Sequence, residues 1–261
     1  NQARVLIGEL HTQLGEPEEA RKVLERIGPD APPELLIAAR TQLAKSYQAE
    51  ENWGAAVRCL EQASSVHGIA GSHKAIVLYH LGEAYLKAGR KKEAISSFEM
   101  LTKGTGQEAQ AAMLRIAELK LGDPGRLDTA MPSLEAALTD VKGADSYDNK
   151  LLTLKEARAL YEVAAQKYRV AALYEYAGRA ARAYAKIAEK GRDRELAAEA
   201  LQAWGQALLD QAPRAESEDR PRLVEEGTKR IRDAAKEWHA LAALKKTSAE
   251  KGEPLYRAAD L

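Results

Sequence analysis

The sequence predicts an all-α protein: an α/α superhelix, a solenoid of about six helical hairpins. Three observations carry that expectation. Apolar residues make up 45% of the 261-residue chain but aromatic residues only 5%, a balance that suits helices packed closely on Ala and Leu better than a β-sandwich core. Residues 78–101 hold two amphipathic stretches that meet at Ala88-Gly89-Arg90. Leu78, Leu81, Gly82 and Tyr85 mark one stripe, and Ala94, Phe98 and Leu101 mark the other; steps of three and four place each set on a single helical face. The second stripe also recurs. Ala20, Ala56, Ala94 and Ala130 stand 36, 38 and 36 residues apart, and a fixed period in this range is the mark of stacked helical repeats.

The first hairpin pairs a helix over 3–14 with one opened by Glu16-Pro17. Ile7, Gly8 and His11 stand in the places of Leu81, Gly82 and Tyr85, and Ala20, Leu24 and Ile27 form the second stripe. A proline in the first turn loses no hydrogen bond, and acids there meet the positive end of the helix dipole. Gly15 turns the chain, and Gly28-Pro29 and Pro32-Pro33 end the hairpin. The second hairpin spans 34–50, with Leu43, Ala44 and Tyr47 in register, and 53–66, with Ala56, Leu60 and Ala63. A loop over 68–72 leads to the third. There Gly82 leaves room for a close neighbour and Gly89 supplies the positive φ of the turn. The fourth hairpin sets Ile116, Ala117 and Lys120 on its first helix, turns at Gly122-Asp123-Pro124-Gly125, and sets Ala130, Leu134 and Ala137 on its second.

Leu81-Gly82-x2-Tyr85 and Ala94-x3-Phe98 resemble the tetratricopeptide repeat, whose pattern W-x2-L-G-x2-Y…A-x3-F…P recurs over about 34 residues. Leu78 stands where the family has Trp, and the proline is missing before the next hairpin. The first hairpin keeps Gly8, Ala20 and Pro32 with His11 for Tyr; the second keeps Tyr47 and Ala56 with Ala44 for Gly. The resemblance is best over 1–140, read as four regular hairpins. Over 145–261 the chain is expected to continue the same solenoid in lengthened, irregular hairpins.

In that second part, Asp145 or Ser146 is the expected N-cap of the next helix. Gly178 alone interrupts 149–190, so a long helix, a turn near 174–178 and a second helix with Ala180, Tyr184 and Ile187 are expected. A helix over 192–211 carries Leu201, Trp204, Gly205 and Leu208; a charged loop covers 213–221. A long helix over 223–246 carries Ile231, Ala234, Ala235, Trp238 and Leu241, and 252–261 begins a further unit. The chain reads as a segment of a longer protein. It shows no signal peptide and no apolar run of transmembrane length, which leaves cytoplasm and periplasm both open.

Lys plus Arg and Asp plus Glu are 39 each, so the formal net charge is zero; a nucleic-acid partner, which calls for a basic excess, is not expected. Cys59 is the one cysteine, which rules out an intrachain disulfide. Cys59, His67, His73 and His80 lack the tight pairing of a zinc site, so no metal or other cofactor is expected. The stretch from Gly68 to Lys74 lacks phosphate-loop spacing, and HExxH, GxSxG and GxGxxG do not occur. Aspartates at 123, 128, 140, 145 and 148 fall at helix starts and in loops, where Asp caps backbone amides. Nothing points to an enzyme. Five of the ten tyrosines, at 161, 168, 174, 176 and 184, cluster; core packing with hydroxyls at the rim is favoured over a partner patch. Arg179, Arg182 and Lys186, interleaved with acids, read as a solvated face.

The resemblance implies that the first helix of each hairpin lines a concave groove. Residues off the packing stripe would face it: Lys45 and Gln48 in the second hairpin, Tyr79, Glu83 and Lys87 in the third, Leu114 and Glu118 in the fourth. Glu83 would repel a peptide's terminal carboxylate, which excludes the family subtype that clamps one. The function expected is a non-catalytic scaffold that binds a protein or peptide segment in this groove. The alternative is a structural spacer or assembly domain of a larger, possibly envelope-associated chain, with no groove ligand of its own.

Overall fold

The computed structural model describes residues 1–68, 70–188, 194–244, 254, 257 and 258. The described residues form twelve α-helices and no strand, and the chain divides into two compact units, Asn1–Ala112 and Met113–Leu261.

In the first unit, α1 (Gln2–Gln13) pairs with α2 (Pro17–Leu24), α3 (Pro33–Ala49) with α4 (Trp53–Ser64), and α5 (Gly71–Lys87) with α6 (Lys91–Glu99). Small residues set how close the partners come. A Cβ on Gly82 would lie 2.5 Å from the Phe98 ring, and one on Gly8 would lie 2.5 Å from Leu24, so the two hairpins share one contact in one register. Gly89 turns the third hairpin at φ +76°, and the Arg90 amide reaches back to the Tyr85 carbonyl at 2.8 Å. Hairpins stack on one another through small side chains: Ala39 of α3 packs on Ala20 and Leu24 of α2. Charge then ties α2 to α3 and α4 to α5. The Arg21 guanidinium lies over the Tyr47 ring and forks onto Glu50 at 2.9 and 3.0 Å. Arg90 likewise lies over Tyr85, whose hydroxyl donates to Glu61 at 2.7 Å. Burial and that carboxylate push the Tyr85 hydroxyl up to about 12.

The first helix departs from its expected register. Ile7, expected in the core like Leu81, is 44% exposed, with Leu6, Leu10 and Leu14 exposed beside it. The preceding hairpin that covers the matching side of α3 has no counterpart on α1 among the described residues.

Helix α7 (Gln107–Leu121) crosses the boundary between the units. Ala130, Leu134 and Ala137 are buried as expected, but their helix is short. Pro124–Ala130 winds as a 3-10 helix and α8 is only Met131–Ala137; Pro132 lacks the amide that a continuous α-helix through this stretch would use there.

The second unit continues with α9 (Leu154–Val170), α10 (Tyr174–Ala188), α11 (Arg194–Gln211) and α12 (Arg220–Leu244). Helix α9 begins later than the sequence implied. Its cap is Thr153, not Asp145 or Ser146: the Glu156 amide donates to Thr153 Oγ1 at 3.3 Å, and the Thr153 amide donates to Glu156 Oε2 at 2.7 Å. Ser146 instead closes a short turn, its Oγ accepting from the Lys142 and Gly143 amides. The turn between α9 and α10 lies at 171–173, ahead of the expected 174–178, and rests on Ala172 at φ +58°. The expected stripe of Ala180, Tyr184 and Ile187 is buried. Tyr161 and Tyr168 are fully buried; the Tyr161 hydroxyl donates to the Leu134 carbonyl at 2.6 Å, and Tyr168 packs on the Tyr176 ring. Core packing accounts for these tyrosines. Helix α12 starts at Arg220, so the charged loop is shorter than expected. Residues 189–193 and 245–246 at the expected helix ends, and most of 252–261, lie outside the described residues.

Candidate functional site

The first helices of the hairpins divide into a buried side and an open side. On α3, Ile37, Ala39, Gln42, Ala44 and Ser46 are buried, Lys45 is exposed and Gln48 half-buried. On α5, Lys87 is exposed and Glu83 half-buried, while Val77, Leu78, Leu81, Gly82, Ala84 and Tyr85 are buried. Burial holds the His80 imidazole below its ordinary value, and the Lys45 charge lowers it further. In the second unit, Glu118 of α7 is exposed and accepts from Arg115 at 2.8 Å.

Two expected groove residues belong elsewhere. Tyr79 is 3% exposed and packs on Phe98, with ring centroids 5.7 Å apart. Its place follows from spacing: it stands three residues before Gly82, hence on the stripe that faces α6. Leu114 is fully buried. Of the expected groove residues on α3 and α5, Lys45 and Lys87 are exposed and Gln48 and Glu83 half-buried.

A cleft of 280 Å³ opens between the first helices α9 and α11, with α10 as its floor. Ala165, Ala177, Ala181 and Ala203 line it, and Glu162, Arg169 and Glu199 stand around it. Arg169 lies 3.3 Å from Asp210, and Glu199 accepts from Arg257 at 2.9 Å. The signal in the sequence is the run of alanines at helical steps, which core packing produces equally well. The cleft offers an apolar floor and charges of both signs, enough to seat a side chain of a bound segment.

Among the described residues, no three His, Cys, Asp or Glu side chains gather as a metal site, and burial pushes the Cys59 thiol up. No described helix is long and apolar enough to cross a membrane.

Residues 35–105 match a family model of the tetratricopeptide repeat, and residues 2–27 match a second model of the same repeat. Among solved structures, a tetratricopeptide repeat protein from Parabacteroides merdae is similar with a TM-score of 0.53 at 15% identity, covering 99% of this chain and 98% of that one. TPR-like repeats from Podosopora anserina give 0.51 at 19%, covering 73% and 96%. BtubC from P. vanneervenii gives 0.50 at 12%, covering 93% and 94%. Identities this low speak to fold alone. No curated protein matches the chain in sequence.

Proposed function

The chain is a tetratricopeptide repeat protein, its repeats matched over residues 2–27 and 35–105, and on that premise we propose that it is a non-catalytic scaffold holding a protein segment along its first-helix faces. Proteins of this family are in general interaction scaffolds. The observation that carries the reading is the split of α3 and α5: one side packed tight, the other presenting Lys45, Gln48, Glu83 and Lys87. In this reading Lys45 and Lys87 of the first unit meet acidic groups of a bound segment and Glu83 meets a cation; the second unit, taken by itself, offers the Glu118 carboxylate. Within the second unit, the Ala-lined cleft between α9 and α11 is the place for an apolar side chain of a segment bound there. Four regular hairpins over 1–140 and lengthened ones over 145–261 are the organisation we propose for the array.

A photo-crosslinking residue in place of Gln48 tests this. In cell extract it should form adducts with a defined set of proteins, and Lys45→Glu with Lys87→Glu should abolish them. Adducts that survive the double charge reversal would remove these faces from the account.

One observation favours the alternative of a spacer or assembly domain. Leu6 and Leu10 are 66% and 54% exposed, whereas the residues at their register positions in α3, Gln42 and Ser46, are buried. An apolar face of this kind is costly in water unless another element covers it.

A further inference from the structure

The second helices of the second unit carry a cleft of a different character from the first-helix faces. It has a volume of 520 Å³ and lies among α8, α10 and α12, with Trp204 of α11 in its wall. Four cations line it, Arg179, Arg182, Lys186 and Arg230, with one carboxylate, Glu135, in the wall; Glu175 and Glu226 lie just outside it, 3.5 Å from Arg179 and 3.6 Å from Arg230. Steps of three and four place the first three on one stripe of α10, apart from the buried Ala180, Tyr184 and Ile187.

These cations are held in position. Arg230 lies 3.7 Å from the centroid of the Trp204 ring and Arg182 lies 5.7 Å from it, contacts that fix guanidinium planes; Arg230 is also 3.6 Å from Glu226, while the ring leaves the Arg182 charge uncancelled. Arg179 forks onto Glu135 at 2.8 and 2.6 Å. Lys186 donates to the Leu138 carbonyl at 2.8 Å, which leaves its charge and two further N–H groups available. Among the described residues, Arg182 and Lys186 have no carboxylate partner.

We propose that this cleft binds an extended acidic protein segment, in which glutamate or aspartate alternates with small apolar residues. The proposal rests on the scaffold reading and adds a second surface to it. Guanidinium planes match carboxylates two-point to two-point, and the Arg179–Glu135 fork shows that geometry already made here. Arg182 and Lys186 stand about 6 Å apart along the helix axis, close to the ~7 Å between alternate side chains of an extended chain. Glu135 repels a compact dianion more strongly than it repels separated single charges. Leu138, Ala183 and Ala185 between the cations supply apolar wall for the intervening residues.

Fluorescence anisotropy with a labelled peptide of alternating glutamate and alanine tests the cleft on the full chain. The parent should bind it. Arg182→Glu should weaken binding by on the order of tenfold or more, and Arg182→Lys should recover part of the loss. Arg182 is exposed, so the fold should tolerate both; Arg182→Ala is the milder variant if reversal lowers the melting temperature. Lys45→Glu should leave this binding unchanged, which keeps the test separate from the first-helix faces. Equal binding of a glutamine–alanine peptide, or equal binding by parent and Arg182→Glu, would overturn the proposal while leaving the crosslinking test of the first-helix faces intact. Full displacement of the peptide by inorganic phosphate would overturn it in favour of a compact anion. Arg182-dependent flotation with phosphatidylserine vesicles in place of peptide binding would overturn it in favour of a membrane.

Discussion

Two glycines in helices of this chain look alike in sequence and differ in what a methyl group would meet. A Cβ on Gly82 would sit 2.5 Å from Cε1 and 2.7 Å from Cζ of Phe98, a ring with no exposed surface and hence no direction in which to give way. Gly82→Ala gains about 1 kcal/mol of helix propensity and loses about 1–3 kcal/mol to overpacking, so the variant should be the less stable. A Cβ on Gly178 would lie 3.5 Å from Trp204, an ordinary contact, and Gly178→Ala should keep the propensity gain of up to about 1 kcal/mol. Thermal unfolding of the two variants should therefore move in opposite directions. A rise in melting temperature for Gly82→Ala would mean that α5 and α6 do not need the close approach assigned to them. The same stripe decides Tyr79. Its distance of three from Gly82 is visible in the sequence. The polar hydroxyl suggests an open position, but burying the apolar body of the ring contributes more.

At the scale of elements, chain punctuation is where the sequence speaks clearly in one half and poorly in the other. In the first unit, glycine and proline mark the turns, and helices α1 to α6 fall within about two residues of the expected bounds, except at the end of α2. In the second unit the α9–α10 turn is made by Ala172 in the left-handed region, where a Cβ is strained but tolerated; no turn residue announces it. The start of α9 differs from expectation for a related reason. Gly143 to Ser146 has the composition of a cap but forms a separate short turn, while Thr153-x2-Glu156, a capping box in sequence as well, makes the cap. Thr153→Ala should cost about 1 kcal/mol. Hydrogen bonding from Thr153 holds the Glu156 carboxyl below its ordinary value, so this contribution is present above the usual carboxylate range and is lost as pH falls through the lowered one. The stability difference between parent and variant should accordingly shrink in acid. An equal difference at neutral and acid pH would show that Glu156 takes no part in the cap. The basic stripe of α10 is also in plain view. What the sequence does not show is that α8, α11 and α12 bring Glu135, Trp204 and Arg230 to the same place, since register across helices is set by packing and not by local pattern.

At the scale of the whole molecule, stability in an array of hairpins is a sum of local contributions, each unit resting on its neighbours. The structure has the contacts that this requires: α1 packs on α2 and α3, α3 on α4 and α5, and α9 on α10 and α11. Leu24 is a clean probe of the sum. It is 1% exposed, sits against the open space of Gly8, and joins Ala20 and Ala39 between two hairpins. Leu24→Ala should cost about 2–5 kcal/mol, from lost burial and the cavity left behind. In a single cooperative core that cost would appear at every protected amide. In a stack it should appear first at α1, α2 and α3, fade through α5 and α6, and leave α9 to α12 at parent rates. Hydrogen exchange followed by mass spectrometry reads this directly. Faster exchange of equal size in α9–α12 would contradict the nearest-neighbour account and mean that the fold opens as one body. The graded outcome bears on function too. A scaffold whose hairpins open separately can alter the first-helix faces of α3 and α5 without disturbing the basic cleft on α10, so the two proposed surfaces could be occupied and regulated one at a time.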